Sequence, residues 1–370
     1  MNSIRSHWSA ASKRHPTRQI RLGALRIGGD APISLQTMVN TDTRDVEASS
    51  RMALDCFEAG ADIVRFAVPD QAAAKALGEI KKRVGSRVLV ADIHFDYRLA
   101  LASLESGVDG LRINPGNIGG ADRVRMVAEA AKARGVPIRI GVNAGSLDKE
   151  FLARFGGATP EALVESALQE VSRLEEVGFD QIKISVKASD VGRTLAAYRL
   201  LSERTDYPLH LGLTEAGTRL NGTVASSVAM GILLSEGIGD TIRVSLTDTP
   251  LEEVRVGQAL LRALGLRQSG PNVTSCPTCG RTQCDLIGTA RRVEDALERF
   301  YRLHPDAKRP HIAVMGCVVN GPGEARDADL ALVGGKDSFF LYKHGVRMEA
   351  FPESEAVSKL LVALEEICHG

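Results

Sequence analysis

Glu58-Ala59-Gly60-Ala61-Asp62-Ile63-Val64-Arg65 reads as a helix stop, a turn and a strand, and the chain writes the same phrase twice more. The copies are Glu105-Ser106-Gly107-Val108-Asp109-Gly110-Leu111-Arg112 and Glu176-Val177-Gly178-Phe179-Asp180-Gln181-Ile182-Lys183, with a looser one at Glu236-Gly237-Ile238-Gly239-Asp240-Thr241-Ile242-Arg243. In each, the glycine stands where a helix ends in left-handed conformation, and the apolar run after it has the length of a buried strand. A repeated helix-to-strand phrase predicts parallel strands joined by crossover helices.

Working outward, eight short β-branched runs alternate with helical segments: 33–39, 63–67, 88–93, 110–113, 138–142, 181–186, 209–213 and 241–246. Eight such units in about 250 residues predict an α/β fold with a closed (β/α)8 TIM-type barrel. Each repeat copy ends on a cation, so Arg65, Arg112, Lys183 and Arg243 close alternate strands in a common phase. The C-terminal ends of barrel strands form the active face, and side chains of alternate strands share a layer, so the four predict an anion-binding mouth.

The other strands end on hydrogen-bonding and proton-transfer groups, including Asp92, His94, Asn143 and Glu215. Taken singly, Asp92 reads equally as a helix cap, His94 as a core histidine and Glu215 as a solvated strand end. Their shared place at the active face argues for function, with Glu215 the best candidate for proton transfer. The loop Asn114-Pro115-Gly116-Asn117-Ile118-Gly119-Gly120 is rich enough in glycine to bring backbone N–H groups to an anion, a weak signal alone.

Composition sets the limits. Lysine plus arginine and aspartate plus glutamate both total 46, so no global field recommends nucleic acid or an anionic membrane. No apolar run approaches the roughly 18 to 20 residues of a bilayer span, and the N-terminus lacks a secretory core, which predicts a cytoplasmic protein. Residues 1–18, with Arg5, Trp8, Lys13, Arg14 and Arg18, read as an N-terminal tail, and 19–265 as the barrel. The glycine and proline segment 266–274 reads as a linker to a small α+β domain, 275–370.

That second domain opens on Ser275-Cys276-Pro277-Thr278-Cys279-Gly280-Arg281, answered by Gly316-Cys317-Val318-Val319-Asn320-Gly321-Pro322-Gly323-Glu324. Two thiolates two residues apart can share one metal centre, and a third arrives from the end of a strand. With Cys284 the set makes a closed zinc site. Without it three cysteines remain, and Glu324, seven residues past Cys317 across a Gly-Pro-Gly turn, is the candidate for a weak fourth ligand. Ligand type alone leaves zinc and an iron–sulfur cluster both open.

The two cysteine motifs closely resemble those of the bacterial 4-hydroxy-3-methylbut-2-enyl diphosphate synthases of the non-mevalonate isoprenoid pathway, and the resemblance spans about residues 18–365. It takes in the barrel segments 37–43, 91–95, 112–119, 141–147 and 211–217. The resemblance implies a 4Fe-4S cluster on Cys276, Cys279 and Cys317, with Glu324 as a displaceable ligand and Cys284 a bystander. It implies a cyclic diphosphate substrate, 2-C-methyl-D-erythritol 2,4-cyclodiphosphate, reduced by two electrons from flavodoxin or ferredoxin. By the same resemblance Arg65, Arg112, Arg139, Lys187 and Arg243 hold the diphosphate, while Asp92, Asn143, Ser245 and Glu215 surround the carbon skeleton. The repeat selects Lys183 on the sixth strand where the resemblance selects Lys187. A homodimer with an active site shared between subunits is also implied. The competing expectation is a phosphosugar lyase, aldolase or pterin-type synthase barrel with a structural zinc domain. A third makes the C-terminal domain a redox-sensing or protein-binding module.

Overall fold

The structure is a computed structural model that describes residues 14–268, 270–336 and 338–369. It divides into two units, 1–267 and 268–370. Arg5, Trp8 and Lys13 lie outside the described residues.

The first unit begins with a hairpin, β1 (Ile20–Leu22) paired antiparallel with β2 (Leu25–Ile27). Eight parallel strands follow: β3 (Ser34–Met38), β4 (Ile63–Ala67), β5 (Val88–Asp92), β6 (Gly110–Ile113), β7 (Ile138–Asn143), β8 (Ile182–Lys187), β9 (His210–Leu211) and β10 (Thr241–Ile242). Their order is β8-β7-β6-β5-β4-β3-β10-β9, and a bridge between Ile184 and Leu209 joins the two ends. The expected (β/α)8 barrel is therefore present, its last two strands cut to two residues each.

The repeat works as its phrase predicts, with one addition. Gly60, Gly107, Gly178 and Gly237 all have positive φ, between 74° and 103°, just past their helix ends. The aspartate two or three residues later is a staple in three copies. Asp62, Asp109 and Asp240 each donate their own N–H to the carbonyl of Leu35, Leu89 and Leu209 and accept those residues' N–H on the carboxylate at 2.7 to 2.8 Å. Each one fixes the register of the strand next door.

The hairpin was not expected. Ile20, Leu22 and Ile27 are buried against Ile63, Val88 and Val90 at the N-terminal ends of the barrel strands. A Cβ on Gly110 would meet Leu22 Cδ1 at 2.6 Å, so the glycine lets the hairpin close over the floor. Nor do residues 14–18 behave as a tail. Arg14 and Thr17 both bind the Asp240 carboxylate, at 2.6 and 3.0 Å, and Arg18 pairs with Asp206 and lies 3.9 Å from the centre of the Tyr207 ring.

The second unit carries a five-stranded sheet, β11 (Asn272–Ser275), β12 (His311–Met315), β13 (Leu330–Gly335), β14 (Ser338–Lys343) and β15 (Val346–Phe351), in sequential order. The first three are parallel and the last two antiparallel. Helices Leu286–Leu303 and Ala356–His369 share one core with the sheet, while Gly321–Asp327 belongs to a smaller cluster with Ala313, Met315 and Val333. Two expectations change here. The segment 266–274 is not all linker, since Arg267 binds Asp62 and the Ile33 carbonyl while 272–275 are strand. The Gly-Pro-Gly stretch before Glu324 is a helix start rather than an open turn, because proline suits the first turn of a helix.

Candidate active site and thiol edge

Inside the barrel, Arg65, Arg112, Arg139, Lys183 and Lys187 are all buried, and Arg243 lies among them largely covered. Glycines make the room. A Cβ on Gly141 would meet Arg112 Nε at 2.9 Å, and one on Gly212 would meet Lys187 Nζ at 2.8 Å, so each long cation lies across a neighbouring strand. Asp92 is the hub: Arg65 Nε lies 3.4 Å and Arg112 Nη1 3.2 Å from its carboxylate, and Arg112 also reaches His94 Nδ1 at 3.2 Å. Burial works against the charged form of Asp92, but Arg65, Arg112 and Arg139 overrule it and hold its carboxyl at about 2. Around Arg243 the counter-charge is Glu253, from helix Pro250–Ala263, which also accepts from Thr37 Oγ1 at 2.9 Å and Leu246 N–H at 3.1 Å.

The imbalance of charge is the chief property of this mouth. Among the described residues, Arg65, Arg112, Arg139, Lys187 and Arg243 face two carboxylates, Asp92 and Glu253. Burial, then mutual repulsion, pushes Arg139 and Lys187 far below their ordinary values, and burial brings Arg65 down to about 10. Buried Nε donors of Arg112, Arg139 and Arg243 find no acceptor among the described residues. Cations held out of water without acceptors cost free energy that a bound polyanion returns.

Lys183 and Lys187 separate by depth. Lys183, second residue of β8, stands level with Arg139, donates to Thr241 Oγ1 at 3.3 Å and lines a small cavity with Leu22 of the hairpin. It is a floor residue, and burial lowers its ammonium to about 7. Lys187 ends β8 opposite Asn143 at the mouth. Asn143 and Ser245 are half-buried, while Glu215 is exposed with φ 54°, a left-handed backbone that glutamate rarely adopts. The anion-loop reading of 114–120 is overturned: the Gly116 N–H donates to the buried Glu170 carboxylate at 2.6 Å, and a carboxylate already at that amide repels an anion.

In the second unit β11 and β12 run parallel, Ser275 level with Val314, which sets Cys276 and Cys317 just past the C-terminal ends of adjacent strands. Gly316 N–H donates to Cys276 Sγ at 3.3 Å. Backbone N–H groups of Asn320 and Val319 lower the Cys317 thiol, as a thiolate ligand needs. Cys279 is exposed in the loop, its N–H donating to Thr282 Oγ1 at 3.1 Å. Cys284 differs: burial pushes its thiol up to about 11, with Glu353, Cys276, Asp285 and Cys317 adding, and its Sγ is wedged over Gly334. Glu324 is exposed on helix Gly321–Asp327 and makes no hydrogen bond through its carboxylate among the described residues.

The GcpE TIM-barrel domain matches residues 17–258, and the GcpE protein C-terminal domain matches 272–366. The chain belongs to the GcpE family. A 4-hydroxy-3-methylbut-2-en-1-yl diphosphate synthase (flavodoxin) of Geobacter sulfurreducens is 57% identical over 95% of this chain and 98% of its own length. One of the same name from Ruminiclostridium cellulolyticum is 54% identical over 96% of this chain and 99% of its own. Among solved structures, a Xanthomonas albilineans dihydropteroate synthase covers 68% of the chain at 17% identity with a TM-score of 0.46.

For this GcpE chain the barrel brings together Arg65, Asp92, Arg112, Arg139, Lys187 and Arg243, and the strand ends bring Cys276 next to Gly316 and Cys317. Sequence reasoning missed Glu253, whose acidic neighbours at a helix start read as ordinary helix-dipole partners. It also missed His210, which is buried with both ring nitrogens finding no partner among the described residues, as is the amide of Gln36 on β3.

Proposed function

We propose that this protein reduces 2-C-methyl-D-erythritol 2,4-cyclodiphosphate to (E)-4-hydroxy-3-methylbut-2-enyl diphosphate, opening the ring and expelling one hydroxyl as water at the expense of two electrons. The observation that carries the reading is the mouth: four buried basic side chains and a largely covered fifth, Arg243, set against two carboxylates suit a compact diphosphate. The names of the relatives agree with the product and with flavodoxin as donor. No helix of the described residues is long and apolar enough to cross a membrane, consistent with a cytoplasmic enzyme.

Arg65, Arg112, Arg139, Lys187 and Arg243 bind the diphosphate, with Asp92 holding two of the guanidiniums in place. Asn143 and Ser245 orient the hydroxyls, and Glu215, on its strained loop, handles the proton that leaves with water. Cys276, Cys279 and Cys317 hold a 4Fe-4S cluster, with Glu324 the displaceable ligand. Their donor set fits: a sulfur-directed amide at Cys276 and two amides lowering Cys317 are what thiolate ligation of iron requires. When bound, the cluster supplies electrons singly and a Lewis-acidic iron. Cys284, its thiol raised, stays outside the ligand set.

Purification without oxygen tests the cofactor: the protein should be brown, with broad absorption near ~400 nm and about four irons per chain. A colourless protein with one tight zinc overturns it. The active site is shared in a homodimer, barrel from one subunit and cluster domain from the other. Mixing inactive Cys317→Ser and Glu215→Ala proteins should restore activity in heterodimers; folded but inactive heterodimers rule the sharing out.

A further inference from the structure

His210, on β9, is fully buried, and neither of its ring nitrogens finds a partner among the described residues. Register fixes its depth. Leu209 bridges Ile184, so His210 stands level with Ser185 of β8, one pleat above Lys183 and one below Lys187. Two residues on along the same face, Gly212 leaves β9 bare, and the Lys187 ammonium lies across it, 2.8 Å from where a Cβ would stand. The imidazole is therefore roofed by Lys187 rather than by its own strand. Thr241, opposite on β10, is engaged by Ser34 at 2.9 Å and Lys183 at 3.3 Å. From outside the barrel, the Tyr198 hydroxyl donates to the His210 carbonyl and the Asp240 carboxylate accepts the Leu209 N–H, so both are spent on the backbone. The mouth carboxylates, Asp92 and Glu253, are engaged by guanidiniums. Burial first, then Arg139, Lys187, Lys183 and Arg65, push the ring far below its ordinary value, so it is neutral while cations face it.

We propose that His210 is a further diphosphate-binding residue, taking a proton from solvent as the diphosphate enters and becoming a cation beneath it. The proposal deepens the diphosphate reading of the mouth and rests on it. A structural histidine pairs its ring nitrogens, as His311 does with Thr274 Oγ1 at 2.7 Å and the Asp327 carbonyl at 3.2 Å. His210 has no such option. Arginine and protonated lysine offer no acceptor, so the N–H of the ring is stranded until an anion supplies one. A doubly negative guest held by Arg139 and Lys187 reverses the field at the ring, and the same proximity that kept the proton off then draws it on. Both nitrogens become donors, one more charge-assisted contact for the anion. No covalent bond changes in this step. The ligand supplies no proton, because each phosphorus of the cyclic diphosphate carries one strongly acidic oxygen and nothing that titrates near neutrality.

The test is calorimetry of 2-C-methyl-D-erythritol 2,4-cyclodiphosphate binding to the oxidised, cluster-loaded protein without reductant, at about pH 6.5 in two buffers of different ionisation enthalpy. The dependence of the heat on buffer counts the protons bound. His210→Asn should take up about one-half to one proton fewer than wild type and bind about 10-fold more weakly. Any proton taken by Lys187 is common to both proteins, so the difference reads the imidazole. Because the wild-type complex holds the extra proton, its affinity should fall as pH rises through this region, and that of His210→Asn should fall less steeply. Equal uptake in the two proteins overturns the proposal even if affinity has dropped, since lost packing weakens binding without moving protons. Should His210→Asn fail to fold, ring-nitrogen NMR on histidine-labelled His94→Asn protein, which lacks the other imidazole of the mouth, decides the matter. One neutral imidazole should become protonated at saturating ligand, and a spectrum in which none does overturns the proposal. A wild-type protein that does not bind the cyclic diphosphate overturns the diphosphate reading and this inference together.

Discussion

The barrel mouth and the thiol edge hold their side chains in opposite ways. At the mouth the protein builds everything beforehand: cations sit on strands, are covered by neighbours, and are held by Asp92 and Glu253 at 3.2 to 3.4 Å. At the thiol edge less is tied down: Cys279 and Glu324 are exposed, while strand register and one Gly316 N–H bring Cys276 toward Cys317. A preorganised site spends folding energy to lower the cost of binding. A metal site whose ligands are loosely held takes its order from the metal itself.

The comparison breaks most sharply at the cysteines. Cys317→Ala should remove iron and lower turnover by about 10³-fold or more, while calorimetry of the cyclic diphosphate binding to the barrel stays within a few-fold of wild type. Chelating the iron should likewise lower the melting of the C-terminal unit and leave that of the barrel in place. If both units loosen together, the contrast is wrong. Next comes Arg139→Met, which should weaken diphosphate binding about 10² to 10³-fold with iron content unchanged. Asp92→Asn strands two buried guanidiniums and should cost about 3 kcal/mol in denaturant unfolding of the barrel.

The smallest effects are in pH. Asp92, held at about 2, contributes stability in full above the ordinary carboxylate range and loses it only as pH falls toward 2. Lys183 has the same sign in a higher window. With its ammonium at about 7 rather than 10.5, the unfolded chain binds more protons between those values, so stability should rise with pH across that window. Lys183→Met should flatten that rise and leave the substrate affinity nearly unchanged, as a floor residue would.

Much of this was legible in the chain because the barrel repeats itself. The glycine at each helix stop and the cation five or six residues on announced both strands and mouth. What stayed hidden had weak local signals. The hairpin at Ile20–Leu22 and Leu25–Ile27 is too short for alternation to show. Strand Asn272–Ser275 is mostly exposed at a sheet edge and carries one aliphatic residue. Lys183 and Lys187 share a face of one strand, so periodicity could not rank them; depth did, and depth follows from where β8 starts against β7. Glu253 reaches the mouth from a helix, a distance no spacing rule encodes.

The hairpin has a mechanical consequence. With Leu22 seated over Gly110, a packed aliphatic layer underlies the barrel cations among the described residues. Shaving Leu22 to alanine should therefore loosen the floor and lower barrel stability by about 2 to 3 kcal/mol, read by denaturant unfolding.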